Sequence, residues 1–131
     1  MSRSGYSKDC DANLWRGQVA SAIRGKRGQK LLLDLCWALD AMPVKGLVAD
    51  ELETADGAVC ALGALGKARG LDMSGVDPED AEAVARLFNV APQLAREVVY
   101  MNDEAGWNAE TPTQRYERMK AWALAQIKPI S

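Results

Sequence analysis

The chain has 131 residues, 48% of them hydrophobic and 26% charged, with a net charge of −2 and no histidine. A folded chain of this size buries roughly two-thirds of its extended surface, enough for one domain with a real core. The balance excludes a disordered tail, and no apolar run approaches the ~20 residues that span a bilayer. Without histidine the chain lacks the commonest general base, the commonest transition-metal ligand and the near-neutral pH switch. Cys10, Cys36 and Cys60 are odd in number and widely spaced, which argues against a disulfide framework and for a reducing compartment. The opening MSRSGYSKDCD has no apolar stretch behind its charges, unlike a secretory signal, so a cytoplasmic location and no membrane partner are expected.

In chain order, Asp11 stands where it would cap a first helix, whose apolar positions Trp15, Val19, Ala22 and Ile23 recur at helical spacing. Gly25 ends it, and Gly28 opens a second helix over about 29–42. There Leu32, Leu35, Cys36 and Leu39 share one face while Leu33 and Trp37 occupy another, the pattern of a central helix covered on both sides. Pro43 stops it. Asp56-Gly57 is a hairpin-turn dipeptide between Leu47-Val48-Ala49 and Ala58-Val59, although Asp50, Glu51 and Glu53 crowd the first arm. A short β-hairpin is expected near residues 46–59, with an extended loop as the alternative.

Cys60 to Arg69 returns to helical spacing, with Ala61, Leu62, Leu65 and Ala68 on one side. Gly63 and Gly66 point to close approach by a neighbour, and Gly70 to a C-terminal stop. Asp77-Pro78 signals the next start, with Ala81, Val84, Ala85 and Phe88 on one face. Pro92 starts another helix, turning Leu94, Ala95, Val98 and Met101 inward. Thr111-Pro112-Thr113-Gln114 is a capping box, and Tyr116, Met119, Ala123 and Ile127 line the buried side of a last helix. The expected fold is mainly α: one domain over residues 1–131, a bundle of about six helices.

Charge is uneven along the chain. Residues 1–33 carry a net +5, residues 34–112 a net −10 and residues 113–131 a net +3. Either the basic ends pack beside the acidic middle and neutralise it, or one end presents a basic docking surface. The segment Arg24-Gly25-Lys26-Arg27-Gly28-Gln29-Lys30 sets its cations and glycines at the junction of two helices. Free N–H groups at a helix start add partial positive charge, so this junction suits a phosphate or a carboxylate-rich protein surface. A helix stop with solvated charges is the plainer reading, and the glycine spacing excludes a nucleotide-hydrolase phosphate loop.

Residues 81–98 fit a helix-turn-helix pattern that would expose Gln93, Arg96, Glu97 and Tyr100. One arginine opposed by one glutamate makes a poor recognition helix, and a helical hairpin in the core is the simpler reading. Asn102-Asp103-Glu104 matches no calcium loop and suits a capping and turn role. Cys36 and Cys60 lie on apolar faces and have no base to activate them, so they read as small core residues. Trp15, Trp37 and Trp122 fall near core faces, whereas Trp107 lies in a polar turn and is a candidate partner anchor. No catalytic residue, metal or cofactor emerges, which makes an enzyme the least favoured class.

The opening Ser4-Gly5-Tyr6-Ser7, the stretch Ala22-Ile23-Arg24-Gly25-Lys26-Arg27-Gly28-Gln29, the element Cys60-Ala61-Leu62-Gly63-Ala64-Leu65, and Asn102-Asp103 before a Thr-Pro-started helix together carry a resemblance. Over most of its length the chain resembles a group of small proteins of phages and prophages of Gram-negative bacteria. That resemblance implies context and no mechanism: an intracellular, phage-associated accessory protein rather than part of the virion shell. The Cys-x-x-Gly-Ala-Leu element with a later Asn-Asp also recurs in other small bacterial proteins and reads as a packing motif.

The expected function is therefore non-enzymatic binding to a host or phage macromolecule, a protein above all, with inhibition of a host defence system as one form. Nucleic-acid binding, through residues 24–30 or the weak helix-turn-helix at 81–98, is the alternative. Arg24, Lys26, Arg27, Lys30 and Trp107 are the candidate partner-binding residues. Thiol titration under denaturing, non-reducing conditions should find all three cysteines free; finding one would overturn the reducing-compartment reading.

Overall fold

The structure is a computed structural model that describes Ser4, residues 12–106 and residues 109–128. Among these residues there are six helices: α1 (Ala12–Arg24), α2 (Lys26–Ala41), α3 (Ala61–Arg69), α4 (Ala81–Phe88), α5 (Pro92–Asp103) and α6 (Pro112–Gln126). The mainly helical bundle read from the sequence is the fold observed. None of these helices is long and apolar enough to cross a membrane.

Helix α2 is the axis. Leu31, Leu32, Leu35 and Leu39 are fully buried, and the helix packs against α6, α3 and α1. It runs antiparallel to α6: the Gln29 side chain reaches the Gln126 carbonyl at one end, and the Tyr116 hydroxyl donates to the Leu39 carbonyl (2.6 Å) at the other. Helix α5 carries the second half of the core, with Leu94, Ala95, Val98 and Val99 buried among α4, α1 and α3.

The expectation that α2 is covered on both apolar faces fails on one of them. Leu33 is 44% and Trp37 76% exposed, because α1, α3 and α6 pack around the other sides of the helix. The start of α2 also differs, lying at Lys26 rather than near residue 29, so that Gly25 alone separates it from α1. Gly28 then sits inside the first turn, where a Cβ would stand 2.0 Å from the Ala22 carbonyl oxygen. Only glycine lets the two helices meet this closely. The expected α1 cap, Asp11, lies outside the described residues.

Of the hairpin, a single antiparallel bridge between Glu53 and Val59 is present, closed around Asp56-Gly57. The acid-rich first arm bends at Asp50, which takes a positive φ of 71°, so the two arms meet without a regular ladder. Val48 N–H bonds to the Val59 carbonyl (2.9 Å) and Cys60 N–H to the Leu52 carbonyl (3.2 Å). The result is a wrapped loop whose Leu47, Leu52 and Val59 plug the core.

Helix α4 begins at Ala81 rather than at Pro78, capped by Asp80, whose carboxylate accepts the Ala83 N–H at 3.1 Å. Asp77 instead accepts the Glu79 N–H (2.9 Å) in the preceding turn. Elsewhere the local signals hold. Gly70 ends α3 in the left-handed region, Pro92 opens α5, and Thr111 with Gln114 forms a complete capping box on α6.

Leu35 has no exposed surface, so Leu35→Ala should cost about 2–5 kcal/mol through lost burial and a residual cavity. Against a total stability of roughly 5–15 kcal/mol, calorimetry should show a conspicuous drop in melting temperature. Trp37→Ala, two residues along the same helix, should change stability by no more than about 0.5 kcal/mol. An unchanged melting temperature for Leu35→Ala would contradict the axial role of α2.

Candidate functional site

One corner of the bundle gathers the end of α1, the start of α2 and the end of α6. Gln29 ties them: its Nε2 donates to the carbonyls of Ile23 (2.7 Å) and Gln126 (3.1 Å), and its Oε1 accepts the Lys128 N–H (2.8 Å). The Lys128 ammonium donates in turn to the carbonyl of Arg24, the last residue of α1, where a cation suits the helix dipole. Around this rivet Arg24, Lys26 and Arg27 are exposed, and among the described residues Arg24 and Lys26 make no ion pair. Arg27 makes a long hydrogen bond (3.4 Å) to Asn89 Oδ1.

Lys30 behaves differently. It pairs with Asp34 one turn on (3.3 Å), and the same carboxylate takes the Arg69 guanidinium at 2.8 Å, which also donates to the Phe88 carbonyl (3.0 Å). Burial pushes the Asp34 carboxyl up, but the hydrogen bonds from Arg69 and Lys30 outweigh it and hold it below its ordinary value. Neutralisation within the fold thus describes Lys30, while Arg24, Lys26 and Arg27, joined by Lys128, face solvent together. Trp107 lies outside the described residues.

The helix-turn-helix face is not available. Helix α1 lies across it: Arg16 bridges to Glu97 at 3.1 Å, Glu97 is 3% exposed, and the Arg96 guanidinium stands 5.7 Å from the Trp15 ring centroid. Residues 81–98 form a helical hairpin within the core.

Two features escaped the sequence reading. An apolar cleft of about 540 Å³ opens between the end of α2, the turn at residues 56–59 and α3, lined among others by Ala38, Met42, Val44, Ala58 and Ala64. Its rim carries Asp56 and Lys67, and Lys67 is held by Glu53 at 2.7 Å. Beside it stands the exposed Trp37, which the helical spacing assigned to the core. The signal was present in the sequence, since Leu33 and Trp37 lie on a face of their own.

The remaining polar groups of note hold the fold together. Asn102 lies in the last turn of α5 rather than in the turn expected; buried there, it caps α3 by accepting the Ala61 N–H and donates to the Val48 carbonyl. The Cys60 thiol accepts the Gly63 N–H (3.4 Å) at the start of α3, and burial pushes the Cys36 thiol up, away from the reactive thiolate. Glu110 receives Arg118 on both carboxylate oxygens (2.6 and 2.9 Å), and Arg118 and Arg115 together clamp the carbonyl of Asn102. No family model matches the chain, and no curated protein and no solved structure matches it either.

The Arg118 hydrogen bonds hold the Glu110 carboxyl below its ordinary value of 4.5. A carboxylate depressed in the folded state contributes stability in full above the unfolded-state value and loses it as pH falls through the folded value. Glu110→Gln should therefore cost about 1–3 kcal/mol at neutral pH, and this deficit should shrink below roughly pH 4.5. Melting curves that stay parallel down to pH 3 would dissociate the pair from acid stability.

Proposed function

We propose that this chain is a non-enzymatic binding protein that docks on a protein of the host or the phage through the corner formed by Arg24, Lys26 and Arg27. The observation that carries the reading is the exposure of these cations, which the fold neither buries nor pairs with its own acidic middle. A cluster of one sign raises the encounter rate with an acidic partner and fixes its orientation. The resemblance to phage and prophage proteins supplies the setting, a bacterial cytoplasm, and favours a host defence component as the target and inhibition as the outcome.

Nucleic acid competes for the same cations. The corner is small for that role, because duplex binding draws on several phosphate contacts and falls steeply with salt. Glu97 and Arg96 of the residue 81–98 segment contact α1, which weighs against that segment as a base-reading element.

Replacing Arg24, Lys26 and Arg27 together by glutamate tests the reading. Exposed charges are worth under ~1 kcal/mol to folding, so the circular dichroism melt should barely move. Affinity capture from nuclease-treated host lysate should lose its partner by orders of magnitude, through slower encounter and like-charge repulsion. Destabilisation with retained capture would show that the corner serves the fold instead.

A further inference from the structure

The basic corner continues along α2. Steps of four and three residues from Lys26 lead through Lys30, Leu33, Trp37, Ala41 and Val44, all on one side of the helix and the turn beyond it, and all exposed. Trp37 is 76% and Val44 75% exposed, the largest exposures of large hydrophobic side chains among the described residues. The stripe has a direction: cations at its start, apolar side chains from Leu33 onward, and at its far end Ala41 and Val44 on the wall of the 540 Å³ cleft. On the neighbouring helix Leu124 is 53% exposed, one turn beyond Lys120, which pairs with Asp40 of α2. Because α2 and α6 are antiparallel, Leu124 lies toward the Leu33 end of the helix pair.

We propose that this stripe receives an amphipathic helix of a partner protein. An acidic turn of that helix lies over Lys26 at the basic corner, its apolar face covers Leu33 and Trp37, and one large apolar side chain enters the cleft beside Val44. This rests on the protein-docking reading and gives the partner its chemistry. Three physical points select the occupant. A stripe at 3–4 spacing along 16 helical residues, about 24 Å, matches the apolar face of another helix. An exposed indole flanked by aliphatic side chains beside a pocket is the usual form of an interface anchor. Nucleic acid would neutralise the lysines and leave Trp37 and Val44 in water.

A second copy of this chain offers no acidic turn to the basic end: a parallel pairing sets Lys26 against Lys26, and an antiparallel one centred on Trp37 sets Lys30 against Val44.

Two fluorescein-labelled synthetic peptides test the proposal, sharing a leucine stripe at i, i+4, i+7 and i+11 and differing only in a Glu-rich or Lys-rich end turn. In anisotropy titrations with the full chain, the Glu-ended peptide should bind at least about tenfold more tightly than the Lys-ended one and than single-stranded or duplex oligonucleotides. Trp37→Glu and Val44→Glu should each weaken that binding about tenfold or more while leaving the melting temperature in place, since both side chains stand in water. Equal affinities for the two peptides, binding of neither, or tighter binding of an oligonucleotide would overturn the proposal. So would a wild-type dimer in sedimentation that Trp37→Glu dissociates. If capture from lysate is lost in the Arg24, Lys26 and Arg27 triple variant yet survives Trp37→Glu, the docking reading stands and the stripe falls. If capture survives in both, the two readings fall together.

Discussion

A single buried carboxamide joins parts of the chain that lie far apart in sequence. Asn102, 1% exposed at the end of α5, accepts the N–H of Ala61 (3.0 Å), the first residue of α3, and donates to the carbonyl of Val48 (2.9 Å). Its second donor hydrogen meets Asp103 Oδ1 (2.8 Å), which also takes the N–H of Asp50 (3.2 Å). Satisfying all of these at once requires α5, α3 and the loop of residues 47–52 to meet in one arrangement, since any slip strands a buried polar group. Close packing completes the constraint. A Cβ on Gly63 would stand 1.9 Å from the Leu52 carbonyl oxygen, so the loop can lie on α3 only where glycine is. The Cys-x-x-Gly element and the Asn-Asp pair are thus two halves of one joint.

The division of charge follows from that architecture. Three buried or half-buried carboxylates are met by arginine: Glu97 by Arg16, Glu110 by Arg118, and Asp34 by Arg69. Planar guanidinium groups can also serve carbonyls left over at helix ends, as Arg69 does for Phe88 and Arg115 for Asn102. The acidic middle of the chain is therefore stitched to the fold mostly by arginines other than those of the basic corner. Arg24, Lys26 and Arg27 are left to solvent, where their charge adds little to stability and much to long-range attraction.

The cleft has a related origin. Beyond Pro43 the first arm of the hairpin bonds to Val59 through Val48 and, at its bend, to Asp103 through Asp50. The chain then spans from Val44 to the turn at Gly57 without filling the space against Ala38 and Ala64, and the small side chains there leave a groove. A groove at one end of an exposed tryptophan stripe and cations at the other make one face of α2 unlike the rest of the surface.

Helix number, most boundaries and most caps follow from the sequence, because they are set by neighbours within a few residues. Periodicity of three to four selects the faces, Thr111 and Gln114 close their own capping box, and Gly70 and Pro92 punctuate the chain whatever surrounds it. The cations at residues 24–30 were equally legible as a local cluster. Which of them stay free was not, since only the arrival of Asp34 and Arg69 beside Lys30 separates it from Arg24 and Lys26. Long-range packing also chose Asp80 over Asp77 as the α4 cap, reduced the hairpin to one bridge, and drew Glu97 under α1. The fate of Trp37 shows the physical reason most directly. Its sequence position places it on a second apolar face of α2, but a face is core only if another element reaches it, and the loops leave α1, α3 and α6 on the other sides. Local chemistry decided which residues share a surface; the topology of the chain decided which surfaces meet water.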